Sequence, residues 1–95
     1  MANFHIDGNT VKISGDISIS YAESLVNLLK EAGNISGEKL IDLSNLETWD
    51  SSSVQILISF LKSNKKENIK WINVPENFVR DLKIMGILTL FKRGE

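Results

Sequence analysis

The chain of 95 residues alternates short strand-like runs with longer helix-like stripes, and this order limits its fold more than any other feature. Apolar runs with the length or alternation of β-strands lie at residues 4–6, 10–14, 39–43, 69–74 and 87–91, the last being a short strand or an apolar tail. Apolar residues at helical spacing lie at 21–32, 54–61 and 78–85. Alternating strands and helices favour parallel pairing through right-handed crossovers. The pattern predicts one α/β domain over residues 1–95, with helices packed on a mixed β-sheet in the order β-β-α-β-α-β-α-β.

Turn and cap residues place several of these elements. Residues 7–9, Asp-Gly-Asn, predict an antiparallel hairpin between the first two strands. The apolar run at 39–43 is typical of a central strand that is covered on both faces. Asp50 and the serines that follow it are strong N-cap types and predict the start of the second helix.

Similar signals bound the other two helices. Ser20 and Glu23 have the spacing of a capping box, which predicts that the first helix starts directly after Ser20. Gly33 and the asparagine after it predict a left-handed stop for that helix. Gly86 is expected to end the third helix, with Met85 on its inner face.

Composition excludes most catalytic and metal chemistry. The chain has no cysteine, which rules out thiol nucleophiles, cysteine-bound zinc and iron–sulfur clusters. A Ser–His–Asp hydrolase would need the single histidine, His5, to reach Ser51, and the sequence has no nucleophile-elbow motif. Glycine-rich phosphate-binding loops are missing as well. We therefore expect no enzymatic activity, no catalytic residue, no metal site and no cofactor.

Charge and hydropathy exclude two classes of partner. The 11 Lys and Arg residues against 12 Asp and Glu give a net charge of −1, which argues against binding to a phosphate backbone. The N-terminus lacks the pattern of a signal peptide, and the apolar stretch at 54–61 is too short to span a bilayer. We expect a cytoplasmic protein with no nucleic-acid partner and no direct membrane insertion.

The segment at residues 42–54 is the most informative part of the chain, because it places three hydroxyl groups at a helix N-terminus. Backbone N–H groups are unpaired there and the helix dipole favours anions. A phosphoryl group on one of these serines would suit the helix and would add about −1.5 to −2 charges to the surface. Serine is also a common N-cap. The residues alone therefore leave two interpretations open, a phosphorylation switch or a helix cap and nothing more.

The same segment resembles the STAS family, the fold of bacterial anti-sigma factor antagonists. The family pattern is a strand ending in Asp-Leu-Ser, a loop with apolar anchors, and Asp-Ser-Ser or Asp-Ser-Thr before Gly-Leu at a helix start. In this chain the pattern reads Asp42-Leu43-Ser44, then Leu46 and Trp49, then Asp50-Ser51-Ser52-Ser53-Val54. The turn at 15–18 and the segment at 73–91 extend the resemblance along nearly the whole chain.

This resemblance implies a non-enzymatic regulatory protein-binding module similar to an anti-sigma factor antagonist. In the family, a partner serine kinase that is also the anti-sigma factor phosphorylates the serine after the motif aspartate. By resemblance, Ser51 is the acceptor and Asp50 its neighbour. The unphosphorylated form binds the kinase and frees the sigma factor. The implied partner-binding residues are Asp16, Ser18, Asp50, Ser51, Ser52, Ser53 and Gln55.

Two residues depart from the family pattern, and a second function stays open. Ser53 stands at the usual glycine position, and Ser18 replaces an acidic residue that faces the phosphorylation site in relatives. The alternative function is that of an accessory STAS subunit, either of a phospholipid ABC transporter, where it would clamp the transporter ATPase, or of a chemotaxis complex.

The end of the chain carries a further expectation. Four residues follow Phe91, which is too few for a helix, so we expect a short form of the family that lacks its final helix. The surface that such a helix covers would then be an exposed apolar patch, rimmed by Val26, Leu88, Leu90 and Phe91. Because large exposed apolar patches mark interaction sites, we expect a homodimer or a second partner there.

Overall fold

A computed structural model describes residues 2–65 and 68–93 of the chain. Its strands are β1 (Asn3–Asp7), β2 (Thr10–Asp16), β3 (Lys39–Asp42), β4 (Leu46–Thr48) and β5 (Ile69–Ile72). Its helices are α1 (Ala22–Ala32), α2 (Ser51–Ser63) and α3 (Glu76–Ile84), with 3-10 turns at Ile19–Tyr21 and Leu88–Leu90. No helix in this part of the chain is long and apolar enough to cross a bilayer.

The strands form one mixed sheet in the order β1-β2-β3-β5, and β4 also pairs with β2. β1 runs antiparallel to β2, which confirms the predicted hairpin. The pairs β2–β3, β2–β4 and β3–β5 are parallel. Because β3 lies between β2 and β5, its predicted central position is confirmed, as is the mixed α/β class with helices packed on the sheet.

Apolar side chains from the sheet and from all three helices meet in one core. The largest fully buried side chains are Trp71, Phe78, Ile13, Ile17, Leu25, Ile41, Leu43, Leu57, Ile69, Leu82, Val11 and Val54. The predicted stripe of the first helix is buried at Leu25, Leu28, Leu29 and Ala32. α1 and α2 also pack against each other. The helix periodicity therefore identified the faces that pack on the sheet.

The two predictions for the ends of α1 are wrong. The helix begins at Ala22, its N-cap makes no side-chain hydrogen bond, and Ser20 lies inside the preceding 3-10 turn. Ser20 does not act as a cap because it lies within this turn, which is closed by a backbone hydrogen bond from Tyr21 N–H to the carbonyl of Ser18. Gly33 is right-handed, with a φ of −61°, so it is no left-handed stop. Gly86 follows the C-cap of α3 with a left-handed φ of 74°, which confirms that it ends this helix.

One short strand was not predicted. β4 has three residues, of which only Leu46 is buried, so it has no alternation for a sequence pattern to detect. It forms because the chain after β3 turns and then pairs again with the far end of β2, at Gly15 and Asp16. This second pairing lies directly before α2.

The last apolar segment differs from the predicted strand. It forms the 3-10 turn Leu88–Leu90, followed by one isolated parallel bridge between Arg93 and Trp71. Phe91 is buried, with its ring 4.7 Å from that of Trp71 and 6.4 Å from that of Phe78. The prediction that Phe91 rims an exposed patch is therefore wrong. Of the residues expected to rim the homodimer surface, Val26, Leu88 and Leu90 remain, and all three are half-buried.

Candidate functional site

The β2–β4 pairing brings two distant loops together at the N-terminus of α2. Gly15 N–H donates to the carbonyl of Asn45 at 2.8 Å, and Ile17 N–H donates to the carbonyl of Thr48 at 2.9 Å. This parallel pairing carries the residues after β2 alongside the residues that lead into α2. The pairing of β2 with β4 therefore creates the site, which cannot be recognised from either loop alone.

Asp50 holds both loops through its two carboxylate oxygens. One oxygen, Oδ1, accepts from Ser53 N–H at 3.1 Å, while Ser53 Oγ accepts from Asp50 N–H at 2.9 Å. This is a reciprocal capping box, and it confirms Asp50 as the start of α2. The other oxygen, Oδ2, accepts from Ile19 N–H at 2.8 Å. Asp50 is thus both the cap of the helix and the link to the segment after β2.

The same hydrogen bonds keep Asp50 ionised. The backbone N–H of Ser53 and then that of Ile19 stabilise the carboxylate, and together with the Ser53 hydroxyl they lower the pKa of Asp50 below its ordinary value. The N-terminal end of the helix dipole acts in the same direction. A fixed negative charge therefore lies beside the first residue of α2.

A second carboxylate, Asp16, lies close to Asp50. The hydroxyl and the backbone N–H of Ser18 lower the pKa of Asp16, and the N–H donates to Asp16 Oδ1 at 2.8 Å. The neighbouring charge of Asp50 opposes this by raising the pKa of Asp16. The structure thus brings together Asp16, Ser18 and Asp50, three of the implied partner-binding residues. Their contact with a partner stays a prediction.

The three serines at the N-terminus of α2 differ in exposure. Ser51 is exposed, Ser52 is half-buried and Ser53 is only 1% exposed. The Ser53 hydroxyl also donates to the carbonyl of Asp50 at 2.9 Å, so any role of Ser53 in partner binding acts through Asp50. Gln55, one turn after Ser51, is exposed as well. Ser51 therefore offers the most accessible hydroxyl of the three.

A depression of about 230 Å³ lies between the start of α2 and the end of α3. It is lined by Trp49, Asp50, Ser51, Val54, Asp81, Ile84 and Met85. Trp49 forms part of the wall of this depression and is fixed by two contacts. Trp49 Nε1–H donates to Asp81 Oδ2 at 2.8 Å, and the Trp49 ring meets the Phe78 ring edge-on at 4.8 Å. Ser51 therefore lies at the edge of a concave surface.

Three exposed apolar residues of this region were missed by sequence reasoning. Ile19 is 67% exposed, Ile84 76% and Met85 43%. The predicted inner position of Met85 is wrong, because at the C-cap of α3 its side chain lies in the lining of the depression and stays exposed, although its N–H still donates to the carbonyl of Asp81. The exposure of Ile84 could have been predicted from the sequence, because Ile84 lies outside the apolar stripe that Phe78 and Leu82 form.

A second polar cluster holds the carboxyl ends of β3 and β5 together. Asp42 Oδ1 accepts from Ser44 N–H at 2.9 Å and from Asn73 Nδ2 at 3.2 Å. Burial works against the charge of Asp42, but the backbone N–H and hydroxyl of Ser44, the amide of Asn73 and the charge of Lys12 together lower the pKa of Asp42. Within residues 2–65 and 68–93, no group of three or more His, Cys, Asp or Glu side chains is placed to hold a metal ion.

Comparisons with known proteins agree with this fold. The sequence model of the STAS domain matches residues 2–93. Among solved structures, an anti-sigma-factor antagonist (STAS) domain protein from Planctomyces limnophilus has a TM-score of 0.75 at 19% identity, covering 97% of this chain and 87% of that one. The Bacillus cell fate determinant SpoIIAA in its phosphorylated form has a TM-score of 0.64 at 14% identity, covering 100% and 92%. No curated protein matches the chain in sequence.

Proposed function

The chain belongs to the STAS domain family, and on this premise we propose that it is a non-enzymatic regulatory module that binds a serine kinase acting as an anti-sigma factor. Phosphorylation of Ser51 by that kinase is the proposed switch. The unphosphorylated form binds the kinase and releases its sigma factor, and the phosphorylated form does not bind.

The exposure of Ser51 beside a fixed Asp50 is the observation that carries this proposal. A kinase needs a hydroxyl that it can reach in a defined position. Ser51 is the first residue of α2, and the capping box keeps that helix end in place. The hydroxyl of Ser53 is buried and already bonded, so it is a poor acceptor.

The chemistry of the switch follows from this position. The kinase transfers the γ-phosphoryl group of ATP to Ser51 Oγ, and ADP and a proton leave. The product adds about −1.5 to −2 charges at a helix N-terminus, where the helix dipole favours anions. The fold is therefore kept, while the surface beside Asp50 changes strongly in charge and hydration.

We expect the cognate serine kinase to place a single phosphate on Ser51. The purified protein is incubated with that kinase and ATP, and the modified residue is mapped by mass spectrometry. Ser51→Ala should abolish the modification, and Ser52→Ala should keep it. Phosphate confined to Ser20, Ser52 or Ser53 would contradict the assignment. Binding to a transporter ATPase or a chemotaxis protein without any phosphorylation would support the accessory-subunit function instead.

Ser51→Asp should weaken binding to the same kinase by about tenfold or more while the fold is kept. The control is Ser59→Asp, which adds the same charge at an exposed position of the same helix. Affinity is measured by calorimetry, and the fold is checked by circular dichroism. Equal affinities for Ser51→Asp and the wild type would remove the switch.

A further inference from the structure

Three large apolar side chains are exposed in the described part of the chain, and two of them line one depression. They are Ile19, Ile84 and Met85. Ile19 N–H is bonded to Asp50, and Ile84 and Met85 line the depression onto which Ser51 opens. Single exposed apolar residues are normal on a protein surface, but a group of them in one place marks a site of interaction.

The charges at this place have one sign. The side chains that line the depression include two carboxylates, Asp50 and Asp81, and no lysine or arginine. Asp16 adds a third carboxylate close to Asp50. A partner that covers this surface must meet negative charge at close range, and cationic side chains do so favourably.

We infer that Ile19, Ile84 and Met85 form an apolar rim around Ser51, which receives a partner protein segment that has an apolar side chain flanked by Lys or Arg. The apolar side chain enters the depression, and the cations face Asp16 and Asp50. This inference rests on the proposed function and names the chemistry of the partner at the same site.

The rim changes how a phosphate on Ser51 acts. The added charge prevents docking, but with a cationic partner like-charge repulsion is not the cause. The cause is that a charged group beside the depression must lose its water before an apolar side chain can enter, and burying a charge is costly. Salt screens surface charges but leaves this dehydration cost largely in place. The effect of Ser51→Asp on partner binding should therefore persist at high salt.

Peptide selection tests the rim without knowledge of the natural partner. A phage library of random 12-residue peptides is selected on the immobilised wild-type protein, and the consensus peptide is synthesised for calorimetry. We expect apolar residues flanked by Lys or Arg. Ile84→Ser and Ile19→Ser should each weaken binding by about tenfold, as should Glu in place of the basic residues of the peptide. The matched control is Val26→Ser, in the separate groove between α1 and α2.

Several outcomes would overturn the inference: acidic consensus peptides, no enrichment over a blank surface, or binding that survives in Ile84→Ser and is lost in Val26→Ser. The proposed function is tested separately, by the kinase assay. Phosphorylated Ser51 with no role for the rim would refute only the rim. Rim-dependent peptide binding with Ser51 never phosphorylated would support the rim and contradict the switch.

Discussion

At the scale of single residues, Asp50 does more than precede the proposed phosphorylation site. Its two oxygens accept hydrogen bonds from different parts of the chain, Ser53 in α2 and Ile19 after β2. An N-cap needs only the first of these. The second holds the backbone of Ile19, whose side chain is exposed, at the N-terminus of α2. The same aspartate therefore starts the helix and assembles the surface around it.

The charge of Asp50 makes a testable contribution to stability. Its pKa in the folded protein is lowered from 3.8, mainly by the backbone N–H groups of Ser53 and Ile19. A depressed folded-state pKa stabilises the protein above the unfolded pKa, and that stability is lost as the pH falls through the folded value. We expect Asp50→Asn to be less stable than the wild type near neutral pH, with a difference that shrinks below pH 3.8.

Urea unfolding of both proteins, followed by circular dichroism across a pH series, measures this difference. Glu47→Gln, which removes an exposed carboxylate on β4, is the matched control and should change little at any pH. A difference between Asp50→Asn and the wild type that grows on acidification would show that the carboxylate is not the stabilising form.

At the scale of secondary structure elements, the start of α2 is built around a buried serine. Ser53 stands where the family resemblance has glycine, and its hydroxyl serves the N–H and the carbonyl of Asp50. A glycine could not make these bonds. The serine therefore gives this helix a more rigid N-terminus, which suits a hydroxyl at Ser51 that must be presented in one position.

Ser53→Ala should lower the free energy of unfolding by about 1–2 kcal/mol, because it removes half of the capping box and leaves Asp50 N–H without its partner. Urea denaturation gives the value. Ser52→Ala, at a half-buried neighbouring position, should stay within about 0.5 kcal/mol of the wild type. Equal effects of the two substitutions would mean that the capping box does not stabilise the helix.

At the scale of the whole molecule, four aromatic rings connect the site with the far end of the core. Trp49 meets Phe78 at 4.8 Å, Phe78 meets Phe91 at 6.4 Å, and Phe91 meets Trp71 at 4.7 Å, all edge to face. These rings join the loop before α2, the inner face of α3, the last segment and β5. The wall of the Ser51 depression is thus part of the main core.

Phe91→Ala should cost about 3–5 kcal/mol of stability, since it removes a buried ring that packs on two others. For a domain of ordinary stability this is a large fraction of the total. Thermal unfolding followed by circular dichroism measures it. Leu90→Ala, at a half-buried position, should cost less. A melting temperature of Phe91→Ala equal to that of the wild type would contradict the buried position of the ring.

Features that neighbouring residues control can be predicted from the amino-acid sequence. The turn after β1, the stripe of α1, the buried Phe78 and Leu82 of α3, and Asp50 as the start of α2 follow from turn chemistry, helical periodicity and capping, which act within a few residues. The position of Asp50 directly before Ser51 belongs to this class. So does the family resemblance, because its motif is a continuous segment.

The residues that surround Ser51 come together through long-range packing, which the local sequence does not reveal. Ile19 and Asp50 are 31 positions apart, and Trp49 and Asp81 are 32 apart. β4, with a single buried residue, forms only because β2 is present to pair with it. Phe91 is buried because the segment after α3 packs its ring against Trp71 and Phe78, which lie far from it in sequence, while Met85 at the end of α3 has no such cover. Such contacts depend on how the elements are arranged in space, so no local pattern in the sequence specifies them.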